Sequence, residues 1–203
     1  MPHYNVNPTD AALFADRTAV RPHHEAAWKT ETERVQRVRG EILSITFEVE
    51  SSIDYAIADC ILPVRRTFRT PRWIEERHWL FQNEVLIRFD FRTKIEIMSS
   101  LLLHRFPRNR RKIDKLTSLL NRVRDVRNRA AHAPVYFQAL EKQISGRWLK
   151  PYLMTSKGMI HLSDGYLRTF RDESCESMKI LREMMRQGLK IKPPQITEWA
   201  QVV

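Results

Sequence analysis

Val123-Arg124-Asp125-Val126-Arg127-Asn128-Arg129-Ala130-Ala131-His132 closes a run in which apolar and charged residues recur at helical spacing. Upstream and within it, Leu116, Leu119, Leu120, Val123, Val126 and Ala130 return every three or four positions, which at roughly 100° per residue draws a single apolar stripe. The spacing predicts a helix from about Asn109 to His132, ended by Pro134, which restricts Ala133. On the same wheel Arg127 falls inside the stripe, and a cation aimed at a core calls for a carboxylate on a neighbouring helix. Asn128 and His132 share the adjoining polar face. His132 thereby occupies the last turn, where carbonyl ends favour a protonated imidazole.

Working outward, residues 1–22 hold Pro2, Pro8 and Pro22 among small and polar residues and read as an N-terminal arm. From His24 to about Leu62, Val35, Val38, Ile42, Ile45, Val49, Ile53, Ile57 and Ile61 mark one long amphipathic helix, bent at Gly40 and stopped before Pro63. Between 63 and 83, Arg65, Arg66, Arg69 and Arg72 interleave with Phe68 and Trp73. That mixture suits either phosphate binding with base stacking or a solvated connector whose aromatics pack on the bundle. From Val85 to Ile97 apolar residues alternate with charged ones, the period of a strand. No partner strand lies nearby and Asp90 can cap a helix, so a helix is expected from about Asp90 to Arg105, with an extended approach.

His104 to Lys112 forms a strongly basic connection into the motif helix, a phosphate-steering patch or simply a solvated loop. Beyond the motif, the stretches 135–142, 147–155 and 159–162 are aromatic and branched, and Ser156-Lys157-Gly158 suits a tight turn; an antiparallel hairpin is expected there. Asp164 would cap a last helix to Arg186, with Leu167, Phe170, Met178, Leu181 and Met185 inward and Gly188 closing it. Pro193-Pro194 mark a tail.

The chain has 203 residues, enough for one domain with its own core, and 35 basic against 24 acidic residues give +11. That excess points to a polyanion, nucleic acid ahead of an anionic membrane. Cys60 and Cys175 stand alone, so neither a disulfide framework nor a metal site is expected, and a reducing cytoplasm fits. No signal-peptide layout or membrane-length apolar run is present in the sequence. There is no Gly-rich phosphate loop, no Ser nucleophile elbow and no Cys-His signal. His23, His24, His78, His104 and His161 lack ligand-spaced partners.

Arg127-Asn128-Arg129-Ala130-Ala131-His132 resembles the Arg-x4-His signature of the HEPN superfamily, with Asn in the usual polar second place. Phe91-Arg92-Thr93-Lys94-Ile95 is similar to the Phe-x-x-Lys-Ile opening of the preceding helix in many of its members. The helical layout matches over roughly residues 30–187, though only these two stretches carry motifs. The resemblance implies a mainly α fold, a HEPN-like bundle of four to five helices with a small β-hairpin inserted at about 135–163. The helical domain would span 23–190, and a tail 191–203. It further implies a homodimer whose motif helices build a composite active site, and a metal-independent endoribonuclease acting as a toxin or phage-defence effector, with a possible antitoxin or regulatory partner. One departure is Pro134 where some toxin members carry Tyr; the nearest tyrosine is Tyr136, so control by modification of that tyrosine is not expected.

The chemistry agrees with the residue types. RNA carries its own nucleophile, the 2′-hydroxyl, so cleavage without metal or cofactor needs a group that moves protons and a cation that takes up developing charge. Imidazole titrates near neutrality and guanidinium offers a planar fork to phosphate. His132 and Arg127 are thus the candidate catalytic residues, with Asn128 orienting His132 or holding a phosphate oxygen. Arg105, Arg108, Arg110, Arg111, Lys112 and Arg124 are the candidate RNA-binding residues. Two other classes stay open: a HEPN-like module that binds nucleic acid or protein without cutting, and a basic DNA-binding helical protein.

Overall fold

The computed structural model describes residues 22–62, 72–144, 147–156 and 158–190. The chain is mainly helical with a small antiparallel sheet: α1 (Pro22–Ile61), α2 (Arg72–Leu80), α3 (Phe91–Arg105), α4 (Arg110–His132), β1 (Val135–Ile144), β2 (Arg147–Thr155), β3 (Gly158–His161) and α5 (Asp164–Lys190). No described helix is long and apolar enough to cross a membrane. The expected arm and tail, and Arg65, Arg66, Phe68 and Arg69, lie outside the described residues.

The chain divides into two compact units, Met1–Ser51 with Leu119–Cys175, and Ser52–Ser118 with Glu176–Val203. In the first, Val35, Ile42 and Val49 of α1, Leu120, Val123 and Ala130 of α4, and Phe170 of α5 are buried together with Leu149 and Leu153 of the sheet. Strand order is β1-β2-β3, with Val135 opposite Leu153 and Leu153 opposite Ile160. The expected hairpin is therefore two hairpins sharing β2. Val135 and Phe137 are buried while Tyr136 and Gln138 are exposed, the alternation of a sheet with one wet face. Thr155 pairs with Gly158, whose φ of 120° is open to glycine and strained for other residues. Trp28 of α1 packs against Phe137 with the rings tilted by 53° and their centroids 4.7 Å apart.

In the second unit the core comes from Ile53 and Ile57 of α1, Ile95, Met98 and Leu102 of α3, Ile113 and Leu116 of α4, and Met184 of α5. Asp90 caps α3 as expected, its Oδ1 accepting from the Thr93 N–H at 2.7 Å. The approach is extended only at Phe89; before it Phe81–Val85 forms a π-helical turn and Leu86–Arg88 a 3-10 turn. The alternation that imitates a strand joins exposed Ile87 and Phe89 to buried Phe91 and Ile95. Two surfaces are superposed there, with no single strand beneath them.

α5 departs from expectation at both ends. Ser163 is the cap, its Oγ accepting from the Tyr166 N–H at 3.1 Å, while Asp164 opens the helix. Gly188 lies inside α5, not after it. Met184, not Met185, is fully buried, because burial follows Phe170, Ser177, Ile180 and Leu181.

Gly40 sits in the interior of α1, is exposed, and a Cβ built there meets nothing within 4 Å. Gly40→Ala should therefore stabilise the protein by about 0.5–1 kcal/mol through helix propensity alone. The check is the urea midpoint at unchanged m; a fall in midpoint would show that α1 requires the glycine for a bend.

Candidate functional site

The motif closes α4 within the first unit. Its apolar stripe anchors the helix: Leu119, Leu120, Val123, Val126 and Ala130 are all buried. The helix end is held from three directions. The Ala133 N–H donates to the Arg129 carbonyl at 2.9 Å, the Met154 N–H of β2 to the Pro134 carbonyl at 2.9 Å, and the Arg39 Nη2 of α1 to the Ala133 carbonyl. Arg39 is half-buried, and burial lowers its guanidinium from the ordinary arginine range. A cation at a helix C-terminus is favoured by the helix dipole, so this bond fixes the residue next to His132. Nothing in the sequence marks Arg39, since one arginine on a long amphipathic helix looks like solvated charge.

Arg127 does not enter the core. It lies half-buried at the edge of the stripe, and its Nη1 donates to the Asn128 Oδ1 at 3.1 Å. The expected carboxylate partner on another helix is not found among the described residues; at the stripe's edge a long side chain reaches water and needs none. Asn128 and His132 are exposed on the polar face. The amide oxygen of Asn128 accepts from Arg127, and its amide N–H groups are left to donate. Arg124 donates through Nε and Nη2 to Asp125 Oδ1 at 3.2 and 2.9 Å.

An adjoining face of α4 lines a cavity of about 440 Å³ in the same unit, with Arg122, Asp125 and Arg129 among its lining together with His161, Tyr166 and Glu173. Arg122 pairs with Glu173 at 3.0 Å. Burial pushes the Tyr166 phenol up, offset in part by Arg129. Burial and then Lys150, Arg34 and Arg147 lower the His161 imidazole. The i, i+3, i+4, i+7 spacing of Arg122, Asp125, Val126 and Arg129 was the signal for this second face.

The five remaining candidate cations belong to the second unit and divide by burden. Arg108, Arg110 and Arg111 are exposed, on the 3-10 turn Pro107–Asn109 and the first turn of α4. Lys112 is bonded to Glu183 at 2.6 Å and holds that carboxyl below its usual range. Arg105 is half-buried, its Nη1 3.9 Å from Cys60 Sγ and its guanidinium 5.8 Å over the Phe106 ring. The described residues contain no group of three or more His, Cys, Asp or Glu that could hold a metal.

No protein-family model, curated protein or solved structure matches the chain.

Proposed function

We propose that the protein is a metal-independent, HEPN-type endoribonuclease that works in the cytoplasm as a homodimer with a composite active site, in a toxin or phage-defence role held in check by an antitoxin or regulatory protein. One observation supports it: Asn128 and His132 are exposed at the pinned end of α4, and half-buried Arg127 donates to Asn128. His132 takes the proton as the 2′-oxygen attacks phosphorus. Arg127 stabilises the added negative charge, the P–O5′ bond breaks, and the His132 of the partner protonates the departing 5′-oxygen. Products carry 2′,3′-cyclic phosphate and 5′-hydroxyl ends. Arg108, Arg110 and Arg111 supply electrostatic attraction for the polyanion.

The test is cleavage of RNA in the presence of EDTA, with a matched substrate bearing a single 2′-deoxy at the scissile position. Cleavage of the first and resistance of the second are expected, with RNA affinity falling steeply as salt rises. A second reading, a HEPN-like binding module without catalysis, is favoured by the 440 Å³ cavity that Arg122, Asp125 and Arg129 of α4 line beside the motif. Binding of RNA with no cleavage would select it.

A further inference from the structure

The three strands belong to the first unit, and directly opposed residues of neighbouring strands point to the same face of a sheet. Tyr136 opposes Tyr152, which in turn opposes His161, so three rings stand side by side across the whole sheet. Gln138 and Lys150 form the next row on one side of them, Met154 and Met159 on the other. This is the wet face. Tyr136, Gln138, Met154, Met159 and His161 are exposed and Lys150 and Tyr152 half-buried, while Val135, Phe137, Leu149 and Leu153 are buried on the reverse. The central ring is held in place: the Tyr152 hydroxyl donates to Gln138 Oε1 at 3.1 Å, and its ring centroid lies 5.3 Å from that of His161.

Ring chemistry and charge identify the occupant. Burial, and then Lys150, Arg34 and Arg147, lower the His161 imidazole against the pull of Asp164, so near neutral pH it offers a ring and no charge. Asp164 is itself taken up, 2.9 Å from Arg147 and 3.5 Å from Arg34. Lys150 is then the charged side chain of these rows, and it is positive, as is the chain at +11. A row of uncharged rings with a cation at its margin suits a polymer that alternates flat rings with anions. Only an unpaired strand of nucleic acid presents its base faces, since a duplex hides them in its own stack. Neighbouring strands lie about 4.8 Å apart, so the three rings cover about 10 Å, room for two or three bases.

We propose that the exposed face of the sheet is a stacking platform for unpaired bases of single-stranded nucleic acid, with Tyr136 and Tyr152 as its principal rings, His161 extending the row and Lys150 meeting a backbone phosphate. The platform adjoins the motif within one unit: the Met154 N–H donates to the Pro134 carbonyl, and Tyr136 stands four residues after His132, at most about 14 Å along the chain. A strand held at His132 can thus lay a neighbouring base on Tyr136, which makes unpaired RNA the substrate class of the proposed ribonuclease. The proposal rests on that reading for its ligand and not for cleavage.

The test is binding of the full chain to a single-stranded 2′-deoxy oligonucleotide, which lacks the 2′-hydroxyl needed for cleavage, beside duplex DNA of the same length. Wild type should prefer the single strand. Tyr136→Ala and Tyr152→Ala should each weaken it roughly five- to a hundredfold, the usual weight of one stacked base, and leave the duplex as in wild type. Tyr152→Phe keeps the ring and should retain most of the affinity. An oligonucleotide of abasic sites should bind wild type and both alanine variants alike, a result that general damage to the fold would not give. Tyr136 is exposed, so Tyr136→Ala should match wild type in circular dichroism and urea midpoint and decides the matter even if Tyr152→Ala unfolds. Equal affinity for single strand and duplex, or a folded Tyr136→Ala that binds the single strand as wild type does, would overturn the platform. Tyrosine-dependent binding with no RNA cleavage would keep it and sink the ribonuclease reading alone. Cleavage of RNA with no effect of either tyrosine on binding would do the reverse.

Discussion

His132→Ala should lower RNA cleavage by about a hundredfold to ten-thousandfold, and Arg127→Ala by about a hundredfold to a thousandfold, the usual weights of a proton-transfer group and of a stabiliser of developing charge. Both variants should remain folded. His132 is exposed at a helix end, and Arg127 is half-buried with its bond to the neighbouring Asn128, so neither removal strands a buried charge. Their urea midpoints should stay within roughly 0.5 kcal/mol of wild type, as for surface positions generally. Because Arg108, Arg110 and Arg111 are left intact, RNA affinity should change little. Asn128→Ala should cost less than Arg127→Ala, since it frees the guanidinium without deleting it. The measurement is single-turnover cleavage beside a binding titration. His132→Ala cutting at the wild-type rate would end the ribonuclease proposal and leave the binding module in its place.

The sequence was most legible where a single physical signal dominated. The stripe from Leu116 to Ala130 predicted α4 to within a residue at its start, because a core-facing helix must repeat its apolar residues near 3.6. Asp90 and the Thr93 N–H were readable as a cap for the same kind of reason, a short-range hydrogen bond with a fixed spacing. Arg127 was misread because an angle on a wheel does not say where the core ends. A residue at the stripe's edge is half wet, and arginine can exploit that. Ser163 displaced Asp164 as the cap by one position, a difference that depends on where the chain leaves β3. The π turn at Phe81–Val85 had no local signature at all. Arg39 became visible as the clamp on the motif helix only once α1 and the end of α4 were brought together.

Lys94→Ala should be the most destabilising single substitution among the charged residues of the second unit, costing about 3–5 kcal/mol. Lys94 is the lysine of the Phe91-Arg92-Thr93-Lys94-Ile95 stretch, and its role is structural. Its side chain is 5% exposed, and its Nζ donates to Asp54 Oδ2 of α1 at 2.8 Å. Both charges are largely withdrawn from water, so the bond between them weighs more than one on the surface. Removing the ammonium takes this bond from the Asp54 carboxylate, itself only 19% exposed. Against a total stability of about 5–15 kcal/mol such a loss is a large fraction, and the thermal midpoint should fall accordingly. Lys94→Met should do nearly as much harm, because its volume is right and its charge is absent. Lys94→Met combined with Asp54→Leu should recover most of the loss, since it removes both desolvated charges together. The double-mutant cycle therefore carries the prediction: a large coupling shows that the α1–α3 contact is specified by this pair. If Lys94→Ala costs less than about 1 kcal/mol, the pair behaves as a solvated surface bridge, and apolar packing of Ile95, Met98 and Leu102 alone fixes α3.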